Sequence, residues 1–587
     1  MLKSFIFGLA TLAIPLSVLA DNAELNQETQ IQYGQLIYLE GKLPNNNPLT
    51  GVRNGMELQG SPAACVNCHR ESGLGSVEGN EIISPISGPA LFGSKDSVIV
   101  EHLRRFNHSL SATHAPYDKT TFGNAVRSGE SFSGKTLNPL MPRYQLADSE
   151  IDALMAYLRT LSVKKSSGVN DQEIHIATIV TPDVGEDKQK VFTQTIQEMT
   201  ILHNVNVRSG LRQKISPIER RMQNRRKWRL DVWRLTGPSN TWNAQLISLQ
   251  KDDPVFAIVS GLSYSTWQPV QDFCEATLVT CWFPSIEISP QKAELSAYSL
   301  YFNQGSILDA NVLGHHLTNH LPGRVIQIDD GSIAAKAAKE ALGHQMERLN
   351  IHSENFLWDS SRSKQINKML ISLRPNDALV LWLHPEALHA LTTQLNAPTA
   401  TIYFSALLAQ NTTSNLNESW VNNCWAISQI EQAELRSANL KRFRDWMNYH
   451  KIPITDEKMQ SEVYFAVNAF DWTVSSLLNN FYSHYLIERA ESYLSMYESM
   501  QVQEEVQALM MGGESKRPPQ SDNKAYDNNI GLEHVIDREL LFKRGSTSIY
   551  PRLSLGIGQR FASKGAYLTK LNKMSPSANP ETQWIVP

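Results

Sequence analysis

Residues 65–69 read Cys65-Val66-Asn67-Cys68-His69. A C-x-x-C-H pattern attaches c-type haem. Two thiols on one turn reach the two vinyl groups of one porphyrin, and the histidine that follows lies beneath the iron as an axial ligand. Two other chemistries use paired cysteines. A redox C-x-x-C needs nothing beyond the pair, whereas a zinc site needs a second pair of ligands. The chain has five cysteines and no second C-x-x-C. One H-x-x-x-H pair, His316 and His320, lies far along the chain. The expectation is one haem c, held covalently by Cys65 and Cys68, with His69 on the iron.

The N-terminus bears on the compartment. Lys3 gives a small basic start, and the run from Ser4 to Leu19 is almost wholly apolar. Val18-Leu19-Ala20 places modest side chains at a cleavage position, and polar Asp21-Asn22-Ala23-Glu24 follows at once. This predicts a secretory signal peptide over residues 1–20 rather than a spanning helix. No later stretch approaches about twenty consecutive apolar residues, so no stable membrane span is expected. Haem attachment outside the cytoplasmic membrane agrees with export, and the periplasm is the expected compartment. Composition is that of ordinary globular protein, with 41% hydrophobic and 19% charged residues. A net charge of −4 argues against a nucleic-acid partner. Residues 208–234 hold ten basic side chains, which read as a solvated face or as a docking patch for an acidic partner.

A length of 587 residues asks for several compact units, at roughly 100–200 residues each. The first is expected over 27–162. It opens with a helical pattern at Ile31, Gly34, Ile37 and Tyr38, ended by Gly41 and Pro44. It closes with an apolar stripe at Ile151, Leu154, Met155, Leu158 and Leu161, capped by Asp148 or Ser149. Between them stand the C-x-x-C-H, Gly88-Pro89-Ala90-Leu91, and Leu140-Met141-Pro142. Two terminal helices bracketing that motif and a late Met-Pro resemble class I cytochrome c. The resemblance implies an all-α domain. It implies Met141 as the sixth iron ligand, opposite His69, and the Pro89 carbonyl as the acceptor that orients the His69 ring. It also implies a close crossing of the terminal helices at Gly34 and Tyr157.

Residues 163–173 read as a polar linker, and a second pattern fills 174–587. Strand signals at 174–180, 255–260, 279–283, 324–328, 378–382 and 401–404 alternate with helical stretches at 187–202, 305–320, 333–349, 361–373 and 432–449. Such alternation predicts parallel sheets covered by helices. After the strand ending at Ser260 comes Gly261-Leu262-Ser263-Tyr264-Ser265-Thr266-Trp267, then a helix and another strand. This order resembles type I periplasmic solute-binding proteins of the branched-chain amino-acid type, and so implies a two-lobed α/β fold. Ser263, Ser265 and Thr266 are the candidate residues for a small anionic solute, because hydroxyls and free N–H groups at a helix start attract anions. The alternative is plain helix capping. An oxidising compartment favours a disulfide between Cys274 and Cys281. Cys424 is left as a buried small hydrophobe. A polar insertion is expected over 512–529, and returning strands near Tyr550–Ser554 and Gly565–Leu568.

Two functions follow. The first is an exported mono-haem cytochrome that passes electrons to a periplasmic redox partner, with an attached domain for ligand sensing or partner docking. The alternative is a solute-capture protein of a transport system with an accessory haem. Catalysis is not expected, since a haem iron held by both histidine and methionine has no open position.

Overall fold

The computed structural model describes residues 27–78, 81–93, 115–212, 226–410, 416, 418–421, 423–477, 479–495, 548–571 and 582–587. The expected signal peptide, the middle of the basic run at 213–225 and the insertion at 512–529 lie outside the described residues. The chain divides between Lys165 and Ser166 into two compact units.

Helices frame the first unit. Residues 27–35 are α-helical and run into a π-helical turn, Leu36–Glu40. Gly41 ends it in the left-handed region at φ 63°, its amide returning to the Leu36 carbonyl. The closing helix spans Asp148–Leu158. Its cap is not Asp148 or Ser149. The N-cap is Ala147, whose amide donates to the Glu150 carboxylate at 2.6 Å. The two helices cross where Gly34 lies against the second: a Cβ on Gly34 would stand 2.1 Å from the Ala153 carbonyl oxygen and 2.6 Å from Tyr157 Cβ. The Tyr38 and Tyr157 rings pack there, with centroids 5.4 Å apart. The stripe of Ile151, Leu154, Met155, Leu158 and Leu161 is buried in one core with Ile37, Tyr38 and Phe122. The unit is not all-α. Thr50–Arg53 pairs antiparallel with Met56–Gln59 and with Arg143–Tyr144, and Ser76–Glu78 forms a second hairpin with Glu81–Ile83.

The second unit holds two sheets. In the first lobe, Glu173–Val180 lies beside Lys227–Arg234, Ala257–Val259 and Leu262–Ser263, all parallel, and Thr280–Trp282, Ser285–Ile286 and Ser299–Leu300 extend the sheet. Glu173–Val180 and Ala257–Val259 are buried almost throughout, as parallel strands covered on both faces are, whereas Lys227–Arg234 alternates charged and apolar side chains. In the second lobe, Ser353–Leu357, Val325–Asp329, Ala378–Trp382, Thr401–Ser405 and Cys424–Ser428 lie parallel in that order. Ala566–Lys570 and Thr582–Ile585 add antiparallel strands at the far edge. The chain leaves the first lobe after Leu300 and returns after Ser428. It adds the Glu457–Leu477 helix to the first lobe, then crosses again before Ala566. The expected helix at 432–449 is two helices, Ala433–Asn439 and Lys441–Tyr449, joined at Leu440. The segment 550–554 is irregular rather than a strand. Cys274 and Cys281 are joined as a disulfide, their Cα atoms 6.2 Å apart. Cys424 is a buried free thiol.

Candidate functional site

Cys65 caps the one-turn helix Val66–His69, so both cysteines and the histidine project from a single turn. The turn is short because Arg70 leaves it at φ 67°, with its carbonyl held by the Tyr38 hydroxyl at 2.6 Å. Neither cysteine is in a disulfide. Burial pushes the Cys65 thiol up to about 12. His69 Nδ1 lies 2.9 Å from the carbonyl oxygen of Ser84. A carbonyl only accepts, so Nδ1 carries the proton and the Nε2 lone pair is left for a metal. Burial also drives the ring down to about 4, which keeps it neutral as an axial ligand must be. The residues present therefore fit a covalent haem.

The orienting carbonyl is not that of Pro89. Pro89 sits in the helix Gly88–Phe92, and its carbonyl accepts from the Gly93 amide at 3.2 Å. Ser84 precedes Pro85, and a residue before proline is held extended, which turns its carbonyl away from local helix bonding. That signal was present in the sequence. Met141 stands in a turn closed by its own amide on the Asn138 carbonyl, 3.0 Å away. Arg143 donates to the Met141 carbonyl at 2.6 Å and to the Leu137 carbonyl at 2.8 Å. Met155 belongs to the core instead. Tyr144 donates to the Ala63 carbonyl at 2.9 Å, beside the attachment turn.

Residues 53–162 match the family Cytochrome c. The match lies within the first unit, begins after its opening helix, and covers no part of the second unit. No match was found among curated proteins.

The second candidate site is the crevice between the lobes, at the carboxyl ends of both sets of strands, where open α/β sheets bind ligands. Ser263 is 1% exposed, and its hydroxyl donates to the Thr266 carbonyl at 3.1 Å. Thr266 Oγ1 accepts from the Gln268 amide at 3.2 Å, at the start of the helix Gln268–Thr277. Ser265 is half-buried in the same turn. The Tyr264 amide donates to the carboxylate of Asp183 at 2.7 Å. The chain's own carboxylate thus takes an N–H of the turn that was expected to hold an anion. Across the crevice, His384 of the second lobe reaches Glu287 of the first, Nε2 to Oε2 3.2 Å. The Asp330 carboxylate accepts from the His384 amide at 2.8 Å and lies 2.7 Å from its Nδ1. Burial opposes charge on His384, but its bonds to Asp330 and Glu287 outweigh that and push the imidazole up to about 10. Burial works against Asp330 in the same way, and the His384 contacts hold it at about 2.

Solved structures similar to this chain are substrate-binding proteins. A fatty acid ABC transporter substrate-binding protein from Thermomonospora curvata is 13% identical, covering 72% of this chain and 95% of its own, with a TM-score of 0.43. An ABC transporter substrate-binding protein from Aeropyrum pernix is 11% identical over 71% of this chain and 95% of its own, TM-score 0.45. The branched-chain amino acid transporter substrate-binding protein of Streptococcus pneumoniae, in complex with isoleucine, is 10% identical over 71% and 100%, TM-score 0.42.

Other side chains singled out in the sequence have structural roles. His316 is buried, stacked on the exposed His320 at 4.4 Å and packed near Tyr403 and Trp425. Burial lowers the His316 ring to about 4. Three of the described basic residues, Arg226, Arg229 and Arg234, are engaged within the fold, while Arg208 and Lys227 are exposed. Arg226 lies over the Phe481 ring at 4.6 Å. Arg229 pairs with Asp253 at 2.6 Å. Arg234 donates to Gln189 at 2.9 Å. His175, Asp231 and Asp253 gather at the sheet edge, where Arg229 already supplies a cation.

Proposed function

We propose that this chain is an exported mono-haem c-type cytochrome that passes electrons to a periplasmic redox partner, with the two-lobed unit serving to dock that partner. The observation that carries the reading is the state of His69. Its Nδ1 is committed to the Ser84 carbonyl, which leaves Nε2 to a metal, and Cys65 and Cys68 on the same turn are outside any disulfide. When bound, the haem supplies a one-electron couple. The chain's residues would do the rest: Cys65 and Cys68 would anchor the porphyrin, His69 would offer its Nε2 lone pair to the iron, and Met141 would supply a thioether as the second protein ligand. Sulfur opposite imidazole suits a carrier and raises the potential. A haem held by both His69 and Met141 would keep no open position for substrate, so the reading is of a carrier rather than a catalyst.

Solute capture is the second reading, and the crevice between two α/β lobes favours it. The internal bonds of Ser263, Thr266 and Asp183, and the His384–Glu287 bridge across the crevice, support docking over capture. Acid–acetone extraction tests the first reading. The colour should stay with the denatured protein from a periplasmic fraction, and Cys68→Ala should weaken or abolish maturation. Haem passing into the organic phase, or colour confined to the cytoplasm, would sink it.

A further inference from the structure

We propose that Arg143 is the positioning residue for the sixth axial ligand, and that the Arg143–Tyr144 strand sets the methionine loop against the haem-attachment turn. The inference rests on Met141 being that ligand. A thioether is a weak, neutral donor. Its bond to iron endures when the loop that carries it has already lost its freedom.

Local bonds shape this loop without placing it. The Leu140 amide donates to Asn138 Oδ1 at 2.9 Å, and the Met141 amide to the Asn138 carbonyl at 3.0 Å. Placement comes from Arg143. One guanidinium nitrogen donates to the Met141 carbonyl and another to the Leu137 carbonyl, so the fork spans the loop from end to end. Two fixed donors on one planar group are what arginine offers and lysine does not. Gly129 admits that group. It lies at φ +69°, and a Cβ there would stand 1.9 Å from Arg143 Nε. The Gly129 carbonyl also accepts from the Leu137 amide at 2.8 Å, which ties the loop's start to the same place.

Along a strand, successive side chains point to opposite faces. Arg143 reaches the methionine loop, and Tyr144 reaches the other way, to the Ala63 carbonyl and the Cys65 thiol. The strand is held opposite Gly51 and Val52. A Cβ on Gly51 would stand 2.9 Å from the Tyr144 ring, so glycine is what lets the ring pass. One dipeptide thereby links both segments that hold the iron.

The test uses the full-length haem-loaded protein and reads the weak sulfur-to-iron band in the far red together with imidazole affinity. Met141→Ala should remove the band. Arg143→Met should weaken it and tighten imidazole binding roughly tenfold to a hundredfold, the loss expected for two hydrogen bonds holding the competing ligand. Arg143→Lys should fall between, because an ammonium holds one carbonyl at a time. Gly129→Ala displaces the guanidinium without removing it, and should reproduce Arg143→Met. It carries the test together with Arg143→Lys if Arg143→Met does not accumulate. A merely structural arginine would lower the thermal midpoint while leaving band and imidazole affinity at wild-type values. That result, with Met141→Ala still abolishing the band, overturns the role of Arg143 alone. If Met141→Ala leaves the band intact, the ligand assignment falls and the inference falls with it.

Discussion

His384 shows how a single side chain can close a crevice. It lies between two carboxylates from different lobes, 2.7 Å from Asp330 and 3.2 Å from Glu287. Its folded-state value of about 10 is above the ordinary 6.5. A raised histidine contributes stability that is fully present below the unfolded value and fades as pH rises through the folded one. The window for this contact therefore runs from about pH 6.5 to about pH 10. At pH 6, His384→Gln should cost about 2 kcal/mol, the usual size of a hydrogen bond to a charged group. Urea midpoints of wild type and variant should converge as the pH approaches 10. A difference equal at pH 6 and pH 10 would mean that the imidazole is not charged in the folded protein. His69 is the opposite case, held neutral by burial with one nitrogen committed, and this readies it for a metal.

At the level of elements, close approach of helices organises the cytochrome domain. Gly34 allows the 27–35 helix to touch the backbone of Asp148–Leu158, and the Tyr38–Tyr157 contact seals the crossing. A methyl group 2.1 Å from the Ala153 carbonyl oxygen cannot be absorbed by a rotamer change. Gly34→Ala should force the helices apart and cost about 1–3 kcal/mol or more, as overpacking does. Thermal unfolding followed at the haem band checks this, and an unchanged midpoint would show that the crossing yields freely. The small sheets matter at the same scale. The Thr50–Arg53 strand receives Arg143–Tyr144, and so brings a segment more than seventy residues downstream of the C-x-x-C-H back beside it.

At the scale of the whole molecule, the question is whether the second unit captures a solute. Its crevice lies where such folds bind ligands, but the chain answers its own donors there. Ser263 bonds within the turn, Asp183 holds the Tyr264 amide, and His384 bridges to Glu287. A screen of small carboxylates by thermal shift should leave the midpoint unmoved, because a ligand raises it only by binding the folded state. A rise that disappears when Ser263 and Ser265 are both replaced by alanine would restore the capture reading.

The sequence alone carried local chemistry. Cys65, Cys68 and His69 are adjacent, and a C-x-x-C-H declares its cofactor without reference to anything distant. Buried parallel strands were legible for a related reason: covered on both faces, they become unbroken apolar runs such as Ala378–Trp382. Gly34 and Tyr157 were also within reach, through family resemblance. What the sequence did not disclose are partners chosen by tertiary approach. The acceptor for His69 is Ser84 and not Pro89, because the Pro89 carbonyl is used by its own helix. Likewise, Glu287, Asp330 and His384 each stand near the carboxyl end of a strand, and nothing local says that they satisfy one another, or that Asp183 takes the Tyr264 amide. Arg143 reads as an ordinary residue after a proline until the fold sets its guanidinium across the methionine loop. Hydrogen bonds between segments far apart in the chain are fixed by packing geometry, and that geometry exists only once the core has formed.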